Sequence, residues 1–486
     1  MNPLTTQESG KPALKSLLPW RRSAVALLAL TALAAPIALY AAPPGTQVTL
    51  LGIPLEFLLF ALTLVGVAVF HNQTLLVALT GLTAITAYKW GIAGFEQGMG
   101  LDGLLHHLNH EWVILTNLLG LLLGFALLAR HFEDSGVPRV LPRFLPQGAL
   151  GAFTLLCLIF VMSAFLDNIA AALIGGTIAA SVYRYKVHIG YLAAIVAASN
   201  AGGAGSVVGD TTTTMMWISG VGPHEVLHAF IAAGAALVLF GIPASIQQSR
   251  TAPIVRDTSD DVRIDWDRLW IVGGILAAAV ATNVIVNWAF KDIAESFPFL
   301  GVAVWVAILA AMRVRQPEWG LLPEAFKGSL FLLSLVFCAS MMPVDKLPEA
   351  SWYSALTLGF VSAVFDNIPL TALAIEQGGF DWGVLAFAVG FGGSMVWFGS
   401  SAGVALSNMY PQAKSVSAWL RNGWHIPIGY VAGFTLLLLM LGWRPETPHQ
   451  TTHEVGATTE QGIAQLEQKP GAPLAYQPQH AQESIQ

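Results

Sequence analysis

An aspartate followed by an asparagine stands inside an apolar stretch at Asp167-Asn168, and the same pair returns 199 positions on (366 minus 167) as Asp366-Asn367. The flanking residues repeat with it: Ser163-Ala164-Phe165-Leu166 precedes the first pair and Ser362-Ala363-Val364-Phe365 the second, and an isoleucine follows each. An ionisable group at membrane depth is costly and marks function by default. Two of them in one repeated motif point to a site assembled from both halves of the chain. Each motif is followed by a second shared pattern, a glycine pair, five residues, a glycine, and two acidic or hydroxylic residues. It reads Gly202-Gly203, Gly209, Asp210-Thr211 in the first half and Gly392-Gly393, Gly399, Ser400-Ser401 in the second.

Glycine pairs inside apolar helices are expected to break them, and a break frees main-chain carbonyls and amides. Asn200, Ser206, Asp210, Thr211, Thr212, Thr213 and Thr214 flank the first break; Ser394, Ser400, Ser401 and Asn408 flank the second. Carboxylates, amide carbonyls, hydroxyls and backbone carbonyls are the ligands of a hard cation such as sodium. A Na+ site is therefore expected around Asp167, Asp210 and Asp366, with Asn168 and Asn367 beside them. Competing readings exist at each point: the glycines can serve close helix packing, the hydroxyls can bond the preceding turn, and the Asp-Asn pairs can cap helix arms. The motif segments hold three acids and no Lys or Arg, which favours a cation over an organic anion, although helix N-termini alone can hold an anion. A carboxylate taken out of water favours its protonated form and a neighbouring cation its ionised form. Sodium and protons would then compete for one acid, which suffices for antiport when access alternates.

The elements that must position these residues are membrane helices. Hydrophobic residues make up 55% of the 486 and charged residues 11%, and the mean hydropathy is +0.63, beyond what a water-soluble core requires. The scattered Lys and Arg form no basic face, which argues against a nucleic-acid partner. Cys157 and Cys338 lie in apolar runs and carry no redox information. The fold expected is all-α and polytopic, with about eleven crossings near 23–41, 53–70, 75–90, 113–129, 189–218, 226–246, 269–290, 299–312, 328–342, 382–409 and 425–442. The runs 149–183 and 352–374 read as re-entrant hairpins with the Asp-Asn pairs at their tips. The stretch 23–41, after Arg21-Arg22, reads as a signal anchor or a cleaved signal sequence.

Loop charges give the orientation, since Lys and Arg near membrane ends favour the cytoplasm. Lys11, Lys15, Arg21 and Arg22 put the N-terminus inside, and counting crossings puts the C-terminus outside. The count requires the two hairpins to enter from opposite sides. The chain then divides into N-terminal helices (1–112), a first inverted repeat (113–246), a cytoplasmic linker (247–268), a second inverted repeat (269–442) and a disordered tail (443–486). Inverted repeats with interrupted helices meeting near the midplane are an alternating-access architecture.

At these motifs the chain resembles sodium/proton antiporters of the NhaD type, within a superfamily that includes citrate, dicarboxylate and arsenite carriers. The similar stretches are Asp167-Asn168, Asn200 to Trp217 with Gly209-Asp210-Thr211-Thr212-Thr213-Thr214, Ser362 to Leu370, and Gly392 to Gly403. The resemblance implies eleven crossings plus two hairpins, homodimerisation, and exchange of Na+ or Li+ for H+ without a cofactor. The chain departs from the pattern at Ala170-Ala171, where relatives usually carry hydroxyls, and at Val207-Val208, where a proline is usual.

Three smaller features complete the reading. His106, His107, His110 and Glu111 are expected in an outer loop, with a spacing that matches no zinc motif. Glu133 and Asp134 lie at a cytoplasmic helix end, as surface groups or as part of a proton path. Asn117, Asn283 and Asn287 read as interhelical hydrogen bonds. The rival transport function is a sodium-coupled citrate or dicarboxylate carrier of the same fold. An intramembrane enzyme would need an arrangement such as His-Glu-x-x-His or a hydroxyl with a base partner, and the sequence offers neither.

Overall fold

The computed structural model describes residues 47–70, 73–96, 98–255, 263–290, 293 and 296–446. The 23–41 stretch, the basic residues before it, linker residues 256–262 and the tail from 447 lie outside the described residues. After a short hairpin (Thr49–Leu50 with Ile53–Pro54), the chain is helical. In order come α1 (Leu55–Val69), α2 (Thr74–Tyr88), α3 (Gly100–Asp134), α4 (Gly148–Ser163), α5 (Asn168–Val182), α6 (Ile189–Ala204), α7 (Thr211–Ile218), a single turn at Pro223–Leu227, and α8 (Ala229–Thr251). The second part holds α9 (Trp266–Ala289), α10 (Phe299–Ala311), α11 (Leu322–Ser340), α12 (Trp352–Ser362), α13 (Asn367–Gln377), α14 (Trp382–Gly392), α15 (Ser401–Met409), α16 (Val416–Asn422) and α17 (His425–Leu441).

Five helical stretches among the described residues are long and apolar enough to cross a bilayer: Thr74–Ala93, Gly100–Asp134, Pro223–Thr251, Trp266–Val286 and Trp319–Ser340. A sixth arises if α16 and α17, bent by 60°, count as one span. The stretches expected as further crossings at 53–70 and 299–312 are single helices of 15 and 13 residues. Those at 189–218 and 382–409 are each split in two.

The two split helices sit at the centre. From Gly190 to Ala204 every residue of α6 is buried, as is every residue of α14, and apart from Ser199 and Asn200 near the end of α6 both are apolar on every face, the composition of a helix enclosed by others. Helix α6 packs against α14, α4 and α8, and α14 packs against α12 and α17. The arms beyond the breaks exchange partners across the halves: α7 packs on α13, and α15 packs on α5. Each arm thus packs on the helix that follows the Asp-Asn pair remote from it in sequence. Around this core α3 packs on α10 and α11, and α10 on α9.

Several expectations change here. The His106–Glu111 cluster is not in a loop, because α3 begins at Gly100. Gly103, His107 and Glu111 recur every four residues on its buried face, while His106 and His110 are exposed. Buried His107 lies against Phe95 and Phe337, and its Nε2 is 3.0 Å from Ser340 Oγ on α11. The polar residues hide this stretch from any hydropathy reading, although their helical spacing fits one continuous helix. No three His, Cys, Asp or Glu among the described residues are grouped so as to hold a metal ion. Lys89 is 7% exposed and opens a single π-helical turn.

The linker also narrows. Helix α8 continues to Thr251 and α9 starts at Trp266, while Val255 N–H donates to Val182 O and Asp265 N–H to Ser135 O. At that end Glu133 and Asp134 pair with Arg130, and Arg268 bridges Asp134 and Asp265. The Arg315 guanidinium, hydrogen-bonded to Asp265, holds that carboxyl below the usual carboxylate range. The first tail residues are ordered: Arg444 N–H donates to Asp381 Oδ2 and Glu446 N–H to Phe380 O. Asn117 Oδ1 on α3 accepts from Gly301 N–H on α10 at 3.0 Å, and Asn283 is buried; the Asn287 side chain is outside those described.

Candidate functional site

All four arms that follow a break begin on a motif residue acting as N-cap. The Asp167 carboxylate accepts Ile169 N–H at 3.2 Å, and Asp366 accepts Ile368 N–H at 3.1 Å. Asp210 accepts Thr212 N–H at 3.1 Å, and Ser400 Oγ accepts Gly403 N–H at 3.3 Å. A short polar side chain with extended backbone at the first free amide is the standard solution to a helix start. Pro369, in the first turn of α13, removes an amide that would have no helical partner. Capping uses one oxygen of each carboxylate and leaves the other for the site.

The remaining oxygen of Asp210 enters a chain of hydrogen bonds that reaches from the first break to the second. Asn168 Nδ2 donates to Asp210 Oδ2 and to Asn200 Oδ1, both at 3.2 Å. Asn200 Nδ2 in turn donates to Ser394 Oγ at 2.9 Å and Ser400 Oγ at 3.0 Å. Asn200, Ser394, Ser400 and Asp210 are no more than 2% exposed. On the other side Ser401 Oγ donates to Asp366 Oδ2 at 3.1 Å. Asp167 and Asp366 are half-buried, and both lie within electrostatic range of Asp210. The three aspartates do not close around one point as a metal shell; Asp210 alone lies deep between the halves.

The threonine run separates by partner. Thr213 Oγ1 donates to Ser206 O and Asp210 O, and Thr214 Oγ1 to Val207 O and Asp210 O. Ser206 Oγ donates to Ala164 O. These three hydroxyls tie the broken segment to itself and to the hairpin tip. Thr212 differs: it is fully buried, its Oγ1 takes no main-chain carbonyl, and its hydroxyl lies against the Asp210 carboxylate. Thr211 is partly exposed. Of the buried threonines, Thr212 is the one whose hydroxyl faces the carboxylate and not the main chain.

The glycines act differently from the expectation that they open the helices. Gly202 and Gly203 lie in the last turn of α6, Gly392 ends α14, and the breaks span 205–210 and 393–400. None of Gly202, Gly203, Gly209, Gly392, Gly393 and Gly399 has a positive φ. What they permit is close approach. A Cβ on Gly202 would enter Phe160 O, one on Gly392 would enter Gly359 O, and one on Gly209 would enter Ser163 O. Gly203 and Gly393 meet Gly209 O and Gly399 O at 2.7 Å in the same sense. The packing alternative describes Gly202, Gly203 and Gly392, while Gly209, Gly393 and Gly399 lie within the breaks, which end on the capping residues Asp210 and Ser400.

No protein-family model matches the chain. Among curated proteins it is 27% identical to sodium/proton antiporter 1 of Arabidopsis thaliana over 289 residues, 51% of this chain and 49% of that protein. It is 22% identical to the Na(+)/H(+) antiporter NhaD of Halomonas elongata over 51% of this chain and 58% of that one, and 27% identical to the NhaD of Alkalimonas amylolytica over 57% and 67%. The chain is similar over about half its length to NhaD-type sodium/proton antiporters. It spans about half the length of the first of these relatives.

Three supporting residues carried little or no signal in the sequence. Ser163 and Ser362, seen only as part of the repeated heptapeptides, donate across to Ser199 O on α6 and Val389 O on α14. Trp419 Nε1 on α16 donates to Ser394 O at 3.2 Å and so holds the second break. The serines were signalled by repetition, whereas Trp419 carries no local signal. Asn200 is the group on which both halves depend. Asn200→Ala leaves the Asn168 amide and two serine hydroxyls short of a partner, at about 1 to 3 kcal/mol per buried unsatisfied group. The expected result is a lower thermal midpoint in detergent, with Asn200→Asp, which keeps the shape, falling between alanine and native.

Proposed function

We propose that the chain is a secondary transporter that exchanges Na+ or Li+ for H+ by alternating access. The observation that carries this reading is Asp210: a buried carboxylate held by Asn168 and the Thr212 amide, within a network of Asn200, Ser394 and Ser400 that contains no Lys or Arg. A carboxylate without a basic partner in a low-dielectric site must be neutralised by something that arrives, a proton or a cation. Cation and proton exclude one another there, so each crossing of the loaded site carries one and the return carries the other. Thr212 Oγ1, Asn200 and the free carbonyls of the two breaks are the oxygen ligands within reach of a monovalent ion. Asp167 and Asp366, half-buried at the hairpin tips, hand the ion or proton between Asp210 and the two aqueous sides.

The same reading gives the two halves opposite orientations, eleven crossings plus two re-entrant hairpins, a cytoplasmic N-terminus, an outer C-terminus, and assembly as a homodimer in the plasma or inner membrane. The names of the relatives agree with cation–proton exchange. The test is collapse of a preset ΔpH in everted vesicles on adding NaCl, LiCl, KCl or sodium citrate. Proton release with NaCl or LiCl supports the proposal. Silence with every cation salt, together with uptake of labelled citrate, would assign the chain to anion transport instead.

A further inference from the structure

At the breaks the second half repeats the first with one telling exchange of residue type. Gly392, Gly393 and Gly399 stand 190 positions after Gly202, Gly203 and Gly209 (392 minus 202), and the same offset carries Asp210 onto Ser400 and Asn200 onto Gly390. The contacts follow that offset, since Ser163 bonds Ser199 O and Ser362 bonds Val389 O. Where the first half has the Asn200 amide, the second has a bare Cα.

Two features accompany this exchange. Asn367, the counterpart of Asn168, is 3% exposed and its Nδ2 has no partner, whereas Asn168 uses Asn200 and Asp210. Gly390 also stands against the carboxylate of the other half: a Cβ there would lie 3.5 Å from Asp210 Oδ2 and 3.2 Å from Ala204 Cβ. Asp210 Oδ1 takes the Thr212 amide and Oδ2 takes Asn168. The side of Oδ2 turned to α14 is bounded by the one residue type with no side chain.

We propose that Gly390 determines which monovalent cation the site takes, by leaving open the face of Asp210 Oδ2 on which the coordination shell of the larger ion closes. The inference rests on the cation–proton exchange reading above. Sodium needs longer oxygen distances and a roomier shell than lithium, and selection between hard cations is a matter of cavity size and ligand number. A methyl group at 390 adds no charge and removes no ligand, so its effect depends on ion size. The contact with Oδ2 is an ordinary van der Waals distance, and the one with Ala204 asks for a shift of a few tenths of an ångström. The helix tolerates alanine better than glycine.

The experiment compares the native chain, Gly390→Ala and the double variant Gly390→Ala/Ala204→Gly in everted vesicles, reading the Na+ and Li+ concentrations that give half-maximal proton release. The double variant keeps the methyl group beside Asp210 and relieves its contact with Ala204. The expected result is a rise of about tenfold in the Na+ value, in the range one methyl group commands in a fitted site, with the Li+ value changed much less, in both variants. Equal change for both ions, no change for either, or return of the double variant to native behaviour would overturn the inference. A native chain that moves neither ion would instead overturn the exchange reading, an outcome distinct from native exchange with an unaltered ratio.

Discussion

Asp210→Asn is expected to abolish cation-driven proton release, by more than about a hundredfold, while leaving the amount of folded protein in the membrane near that of the native chain. The substitution conserves shape and removes the charge. The neighbouring hydrogen bonds can adapt, because every other member of the network can act as donor or acceptor. An amide at 210 keeps its oxygen on Thr212 N–H and turns its NH2 toward Asn168. Asn168 and Asn200 then reverse their amides, and the Ser394 and Ser400 hydroxyls, which accept from Asn200 in the native arrangement, rotate to donate. Each bond of this chain then keeps one donor and one acceptor, so the destabilisation that makes many buried-charge substitutions uninformative is reduced. Measured together, ΔpH collapse and a thermal midpoint in detergent separate the two effects. Full exchange by the Asn variant would remove Asp210 from ion and proton handling, and loss of exchange accompanied by loss of folded protein would contradict the adaptable network.

The parts of this site that the sequence displays are those that repeat. Asp167-Asn168 and Asp366-Asn367 cap their arms with nearly the same backbone angles, φ −52° and ψ 140° against φ −55° and ψ 141°. The parts it hides depend on which partner a group finds. Thr212, Thr213 and Thr214 are identical as letters, and only the path of the broken segment commits the second and third hydroxyls to Asp210 O while leaving the first beside the Asp210 carboxylate. The glycine pairs were legible as special positions, but a sequence cannot distinguish a glycine that breaks a helix from one that lets another backbone approach. The buried face of His107 and Glu111 was concealed because hydropathy averages over a turn, whereas burial is decided side by side. The exchange of arms that sets α7 on α13 and α15 on α5 is likewise tertiary information.

Gly202→Ala and Gly392→Ala are expected to destabilise the molecule strongly. Each added Cβ would overlap a main-chain carbonyl of the hairpin packed beside it, Phe160 O in one half and Gly359 O in the other. A clash with a flexible side chain can relax by a rotamer change. A clash with backbone in the middle of a buried helix requires two helices to separate, and overpacking of that kind costs about 3 kcal/mol or more. The separation would also pull Ser163 from Ser199 O and Ser362 from Val389 O, since both bonds span the same interface. Gly273 and Gly274 on α9 provide the control, because a Cβ at either meets nothing within 4 Å. Alanine there gains the intrinsic helical preference, about 1 kcal/mol at most, and costs nothing in packing. Thermal midpoints in detergent should therefore fall steeply for the alanine variants at 202 and 392 and stay level or rise for those at 273 and 274. Equal behaviour of the two pairs would show that the hairpins do not press on α6 and α14, and it is that pressure of backbone on backbone that holds the four capped arms around Asp210.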